Sequence, residues 1–263
     1  MSVRLMKKAL LVGAFFMSAI CPLAAAADTA CQATAATEPV QLARVIDGDT
    51  VELVDGRRVR LIGIDTPEIG YRGESSEPFA EAARDRLREL TSGGEVRMQV
   101  AVDSKDRYGR TLGHLFAADG SNLEARLLRE GLGFALVMPP NLALWRCQQA
   151  AEVQARQLGL GLWSADPVTP ARALDSGGFA LVRGKITSIE RAGEQLWIEL
   201  DGPLVLRLRD ADREHFDGLH PEVWHGRDIE VRGWIIERRS QRSGRQPLML
   251  PLRHPGMLRL LTP

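Results

Sequence analysis

Residues 42–65, LARVIDGDTVELVDGRRVRLIGID, constrain the fold more than any other stretch of this chain. Apolar runs rich in Val, Ile and Leu are cut by two Asp-Gly pairs, Asp47-Gly48 and Asp55-Gly56. Asp-Gly between apolar runs marks a tight hairpin, because both residues tolerate the positive φ such turns need. Two in succession predict a three-stranded meander. At residues 78–94, Phe79, Ala83, Leu87 and Leu90 recur at helical spacing until Gly93-Gly94 stops the run. VRMQVAV and TLGHLFA then read as strands. Ser121 can cap a helix over residues 122–130, which Gly131 ends, and a last helix is expected over residues 142–158.

Three strands, a helix, two strands and two helices suit a small five-stranded barrel of the oligonucleotide/oligosaccharide-binding (OB) type. Residues 164–176 (SADPVTPARALDS) hold two prolines and little periodicity, and read as a linker. The block at 177–263 alternates apolar and polar residues between frequent turn signals, which predicts a second small antiparallel β-barrel, OB-like. The expected fold is therefore mainly β with helices, an OB-type domain over 41–163 followed by an OB-like β domain over 177–263.

Residues 1–27 stand apart. Arg4, Lys7 and Lys8 precede an apolar run at 9–23, and Ala25-Ala26-Ala27 offers a small-residue cleavage pattern, so the segment reads as a secretory signal peptide. The run is shorter than the ~20 apolar residues a spanning helix needs, so no membrane insertion of the mature chain is expected. Residues 28–40 are small and polar, and read as a flexible lead-in. Losing the signal takes 34 basic and 34 acidic residues to 31 and 34, a net of −3. That balance excludes a polycationic nucleic-acid coating protein. Export, to the periplasm or out of the cell, leaves Cys31 and Cys147 in an oxidising compartment. A disulfide between them is expected there, closing a loop of over a hundred residues. No protein partner is implied.

Asp47, Asp49, Asp65 and Glu68 fall at the ends of expected strands, where a meander can bring them together. Carboxylates and a threonine oxygen are hard donors, suited to Ca²⁺ or Mg²⁺ rather than zinc. His215, His220 and His225 are spaced five apart, share no helix face, and do not read as a competing metal set. Asp also favours turns with no function attached, and spacing alone leaves that alternative open. Arg60 lies on the strand ending at Asp65, and Arg110 closes DSKDRYGR before another strand. A guanidinium fork matches two phosphate oxygens. Two arginines, a hard cation and a spare carboxylate are the parts needed to hydrolyse a phosphodiester. With 30 Arg against four Lys, ordinary surface arginines are the alternative. Further on, Arg238, Arg239, Arg242 and Arg245 crowd one expected hairpin loop, and Trp197 and Trp234 lie in strand-like runs. A basic loop beside aromatics can follow a nucleic-acid backbone. A solvated hairpin with two core tryptophans is the alternative, and the one the sequence favours.

RVIDGDTVEL, RVRLIGIDTPE and DRYGRTLGHLF, in that order, resemble the staphylococcal nuclease (thermonuclease) family over residues 42–163. The tail QARQLGLGLW is similar to the family's closing helix. The resemblance implies a five-stranded OB-type barrel with three helices. It also implies Ca²⁺-dependent hydrolysis of DNA and RNA to 3′-phosphate and 5′-hydroxyl products, with Mg²⁺ the less favoured ion and single-stranded or denatured substrate preferred. By motif match, Asp49 and Asp65 are the metal carboxylates and Thr66 lends its backbone oxygen, with Asp47 shaping the site from behind. Arg60 and Arg110 would bind phosphate and stabilise the pentacoordinate transition state. Glu68 would be the base or water-orienting group, and Tyr108 with Arg107 would hold a terminal phosphate. One departure is Met138-Pro139-Pro140, where the family's best-known member has aromatics lining a base pocket, so base stacking there is expected to be weak. The competing reading is a non-catalytic binder of nucleic acid or envelope polymer built from two OB-type barrels, which would have no need of Arg60, Glu68 and Arg110 together. Residues 28–163 carry 16 basic and 20 acidic groups, net −4, so general attraction to DNA should be feeble and weakly salt-dependent.

Overall fold

The two Asp-Gly turns fold the chain as a meander in the computed structural model, which describes residues 31–238 and 246–261. The expected signal peptide at 1–27 lies outside the described residues. β1 (Glu38–Val40) and β2 (Leu42–Val45) are separated by Gln41 alone, and β3 (Thr50–Leu53) and β4 (Arg58–Leu61) follow in antiparallel register. The short β5 (Ile64–Asp65) precedes α1 (Ala80–Ser92). β6 (Val96–Lys105) and β7 (Thr111–Phe116) form a hairpin whose second strand runs parallel to β4. β6 then pairs with β1. β1 and β2 thus act as one strand bent at Gln41, pairing β6 with its first half and β3 with its second, and this closes a five-stranded circuit.

β7 is buried along its whole length, with α2 (Leu123–Arg129) packed on it. The cap of α2 is Asn122 rather than Ser121: its side-chain oxygen accepts from the Ala125 amide at 2.9 Å. The Ser121 hydroxyl is taken by Asp119. β8 (Phe134–Ala135) pairs antiparallel with β5, and α3 (Trp145–Leu158) closes this half of the molecule. α3 starts later than expected, because a turn from Met138 to Asn141 is held to Asp103 by the Asn141 side chain.

The second half repeats the plan. β9 (Val168–Pro170) leads into the long β10 (Gly178–Ala192), followed by β11 (Gln195–Leu200), β12 (Leu204–Arg209), β13 (Asp228–Glu237), β14 (Leu248–Pro251) and β15 (Leu258–Leu260). β10, β11 and β12 pair antiparallel, β12 runs parallel to β14, β14 pairs with β13, and β13 returns to β10. This closed circuit has the order of the first, and β10, like β1 and β2, serves neighbours on both sides with its two halves. Each circuit encloses its own aliphatic core, Val51, Leu61, Leu87 and Met98 in the first and Ile186, Ile198, Leu206 and Val231 in the second.

Two expectations about connecting segments are corrected. Residues 31–40 are not a free lead-in: Glu38–Val40 is a strand, the Thr34 and Ala35 amides donate to the Gln99 side chain, and Cys31 is bridged to Cys147. Residues 164–176 connect the two halves but are ordered, with β9 paired to β10 and Val168, Ala171 and Leu174 buried. Both stretches are poor in periodicity because their order comes from docking onto other elements rather than from their own pattern.

α3 is the seat on which the second barrel rests. Its Glu152 accepts from Arg232 on β13 at 2.6 and 2.7 Å and from the Ala135 amide at 2.7 Å. One turn on, Arg156 donates to Glu230 on β13 at 2.5 and 2.8 Å. Arg183 and Arg259 add to Glu230 at 3.3 and 3.2 Å. Breaking a buried, hydrogen-bonded pair leaves an uncompensated charge and is strongly destabilising.

Burial alone would raise the Glu230 carboxyl, but hydrogen bonds and charge from Arg156, with Arg259 and Arg183, hold it down at about 2 against an ordinary 4.5. The unfolded chain therefore takes up a proton that the folded chain refuses, so this stabilisation is complete above pH 4.5 and is lost as pH falls toward 2. His254 acts in the same direction higher up: burial, helped by His215 and Arg146, lowers it from 6.5 to about 4. Thermal melts of the chain should show the Glu230 loss below pH 4.5, whereas between pH 7 and 4 the buried Asp47 and Asp65 carboxyls, raised to about 7, gain stability on protonation and oppose His254. In Glu230→Gln the step below pH 4.5 should be flattened and stability at pH 7 lower by about 3 kcal/mol. An unaltered acid limb in that variant would contradict the assignment. Cys147→Ser should lower the urea midpoint, because a bridge spanning 116 residues is valued at about 5 kcal/mol by chain entropy.

Candidate active site at the β2–β3 turn and β5

The site is built where the first Asp-Gly turn meets the end of the meander. Gly48 lies so close to α1 and Thr66 that a Cβ would stand 2.7 Å from Ala83 Cβ and 2.8 Å from Thr66 Oγ1. The turn is shaped by Asp47, whose carboxylate accepts from the Asp49 amide at 3.0 Å. Asp49 is 5% exposed. It accepts from the Thr50 hydroxyl and from the Thr66 amide, each at 3.0 Å, so β3 and the segment after β5 are tied through one carboxylate.

Arg60, directly opposite Thr50 in the β3–β4 register, lies between the acids. Its Nη2 is 3.0 Å from Asp49 and 2.9 Å from Asp65, and its Nη1 donates to the carbonyls of Leu61 and Ile64 at 2.6 and 2.9 Å. Asp47, Asp49, Asp65, Thr66 and Arg60 are thus joined by direct contact.

Glu68 and Arg110 belong to the same electrostatic field without touching that core. Glu68 is exposed at the rim, where its amide donates to Glu77 at 2.9 Å. Arg110 is tethered in its own loop: Asp106 accepts from its Nε at 2.7 Å and from its amide and that of Tyr108 at 2.9 Å. Tyr108, 68% exposed, has the Arg107 guanidinium 4.7 Å and the Arg110 guanidinium 5.5 Å from its ring centre. This loop therefore presents two guanidiniums around one exposed phenol.

The acids outnumber the cation among them, and their proton affinities show it. Burial, then the neighbouring Asp49 charge, raises Asp47 to about 7. Burial raises Asp65 to about 7 although Arg60 opposes it, with Asp49 and Glu68 adding to the rise. Glu68 is raised by partial burial and by Asp49, against Arg60 and Arg110. Glu77 adds to the charge felt by Asp65 and Glu68. It is an acid that sequence reading treats only as the start of a helix, and its role shows only once the 68–77 loop is seen to close on itself, with the Glu77 amide donating to the Glu68 carbonyl at 3.0 Å.

An all-oxygen set with excess negative charge fits a hard divalent cation. The Thr66 hydroxyl, buried and without a hydrogen-bond partner among the described residues, marks polar capacity left over at that point. Among the described residues no cluster of three or more His, Cys, Asp or Glu side chains is gathered to hold a metal.

Of the expected C-terminal nucleic-acid contacts, Arg238 alone falls within the described residues. Arg238 stacks 5.1 Å from the Trp197 ring and donates to the Gln246 carbonyl, while Arg239, Arg242 and Arg245 lie outside the described residues. The expectation of core tryptophans is corrected: Trp197 is half-buried and Trp234 is 53% exposed, because both face outward from their strands while Leu196, Ile198 and Ile235 fill the barrel. Val137, just before the departure at Met138-Pro139-Pro140, is buried in the second barrel's core. Sequence reading gave no role to Phe134, which stands directly opposite Asp65 in the β5–β8 ladder; two-residue strands leave no periodic signal.

Residues 58–165 match the family described as staphylococcal nuclease homologue. A thermonuclease of Staphylococcus intermedius is 36% identical over 123 residues, 46% of this chain and 73% of that protein. An uncharacterised endonuclease of Escherichia coli O157:H7 is 34% identical over 142 residues, covering 49% and 80%. A micrococcal nuclease of Shigella flexneri is 36% identical over 141 residues, covering 48% and 74%. With this strand order, this cluster and these relatives, the chain belongs to the staphylococcal nuclease family.

Proposed function

We propose that this protein is an exported nuclease that hydrolyses phosphodiester bonds of DNA and RNA, preferring single-stranded or denatured substrate, and leaves a 3′-phosphate and a 5′-hydroxyl. The observation that carries the reading is the Arg60 guanidinium held between Asp49 and Asp65 in a largely buried cluster with surplus acid. A purely binding barrel gains nothing from burying such a cluster, which costs stability unless it is used.

Asp49, Asp65 and the Thr66 carbonyl would hold a divalent ion, Ca²⁺ in preference to Mg²⁺ because the set is irregular; when bound it would polarise a phosphoryl oxygen and offset its charge. Arg60 offers its fork to the equatorial oxygens of the phosphate. Glu68, at the rim and raised above an ordinary carboxyl, orients the attacking water and takes its proton. The water oxygen bonds to phosphorus as the bond to the 5′ oxygen breaks, and that oxygen takes a proton from solvent to leave as the 5′-hydroxyl. Arg110 stabilises the charge on the pentacoordinate phosphorus and on the departing oxygen. Tyr108 and Arg107 hold the phosphate of a strand end, and Asp47 keeps the Asp49 amide in place.

Digestion of denatured DNA by the mature chain should require Ca²⁺ and stop with chelator. Glu68→Gln and Arg110→Ala should each lose at least ~10²-fold in rate. Cleavage indifferent to chelator, or to both substitutions, would reject the mechanism. The affinity for single-stranded DNA should fall only modestly between low and physiological salt, given the net charge of −4 over residues 28–163. Cell fractionation tests export; retention of the full-length chain in the cytoplasm would refute it.

A further inference from the structure

We infer that Phe134, Phe179 and Trp234 form a base-stacking platform, through which the second barrel receives single-stranded nucleic acid emerging from the proposed active site. The inference rests on the nuclease reading and extends it to the course of the strand.

The three rings are contiguous. Phe134 and Phe179 stack at 5.9 Å with planes 26° apart, and Phe179 meets Trp234 edge-on at 6.3 Å. They join both halves of the chain. Phe134 is directly opposite Asp65 across β5–β8, and opposed residues of an antiparallel pair project to the same face. Phe179 and Trp234 are directly opposite each other across β10–β13. The strip therefore begins beside a site carboxylate and runs onto the outer face of the second barrel. Trp234 is 53% exposed, and Ile236, two residues along the same face, is 47% exposed. Large apolar side chains left in water side by side mark a surface with a use.

The occupant follows from chemistry and place. Flat π-faces beside a phosphodiester site suit bases, and each stacked base is worth about 1–3 kcal/mol without regard to sequence. Phosphates would find cations four residues along the same two strands. There Arg183 and Glu230 face each other across the register, and Arg156, Arg183 and Arg259 converge on the single Glu230 carboxylate. Three guanidiniums around one carboxylate give this patch a local excess of positive charge.

The test uses the mature full chain and a fluorescein-labelled oligo(dT) of about 12 nucleotides, within the span of one to a few OB-type footprints. Binding is read by anisotropy and by tryptophan quenching in chelator, where no hydrolysis is expected. Trp234→Ala and Phe179→Ala should each raise Kd at least 5-fold, the lower bound for one lost stack. Trp234→Phe should recover most of that loss, and Val223→Ala, an exposed apolar position elsewhere, should keep the wild-type Kd. Wild-type Kd in both alanine variants would overturn the platform. So would a concentration-dependent dimer abolished by Trp234→Ala, since the strip would then seat a second copy of this chain. If the wild type binds in this Trp234-dependent way but cleaves nothing with any divalent ion, the nuclease reading fails while the platform stands.

Discussion

Arg60 is the interaction on which the first barrel's working end depends. A guanidinium has five donors in a rigid fork, and here they reach two carboxylates and two carbonyls that come from the β2–β3 turn, the end of β4 and β5. Without it, Asp49 and Asp65 would have no guanidinium between them to balance their charge. The arrangement is therefore held by the same side chain that the chemistry needs for phosphate. Stability and catalysis compete for that fork: each hydrogen bond made to the acids is one that is not offered to substrate. Surplus acid around it, from Asp47 and Glu68, biases the pocket toward accepting a further cation.

The strand ends were legible because their signals are local. Asp-Gly turns fixed the meander, helical spacing found α1, and three separated motifs in order carried the family resemblance. What stayed hidden was whatever depends on contacts far apart in sequence. β1 and β9 are three-residue strands whose order comes from β6 and β10. Trp234 reads as core material from its alternating run, yet its parity along β13 sends it outward with Glu230 and Arg232. Parity is set by the Ile229, Val231 and Ile235 core, and a shift of one residue reverses every side chain. Arg110 illustrates a different gap: its motif identifies it, but its tether to Asp106 belongs to loop geometry that no spacing predicts.

The second barrel is more than an appended module, because it reaches the candidate site through a short chain of bonds. Arg232 donates to the Ala135 carbonyl at 3.1 Å and to Glu152, which in turn accepts from the Ala135 amide. Ala135 pairs with Ile64 and Phe134 with Asp65. Ile64's carbonyl is one of the groups that fix Arg60. This chain of bonds ties the position of β8, and hence of β5, to the second barrel.

The departure at residues 138–140 lies between side chains that serve the second barrel. A segment can line a pocket for a base or serve as a seat for another barrel, but the side chains that suit one do not suit the other. Val137 is buried in the second core, Leu142 and Trp145 pack against it, and Trp145 meets His254 edge-on at 4.7 Å. An aromatic surface next to Asp65 comes instead from Phe134 and Phe179, partly buried against Trp163, Val168 and Leu181, and from the exposed Trp234.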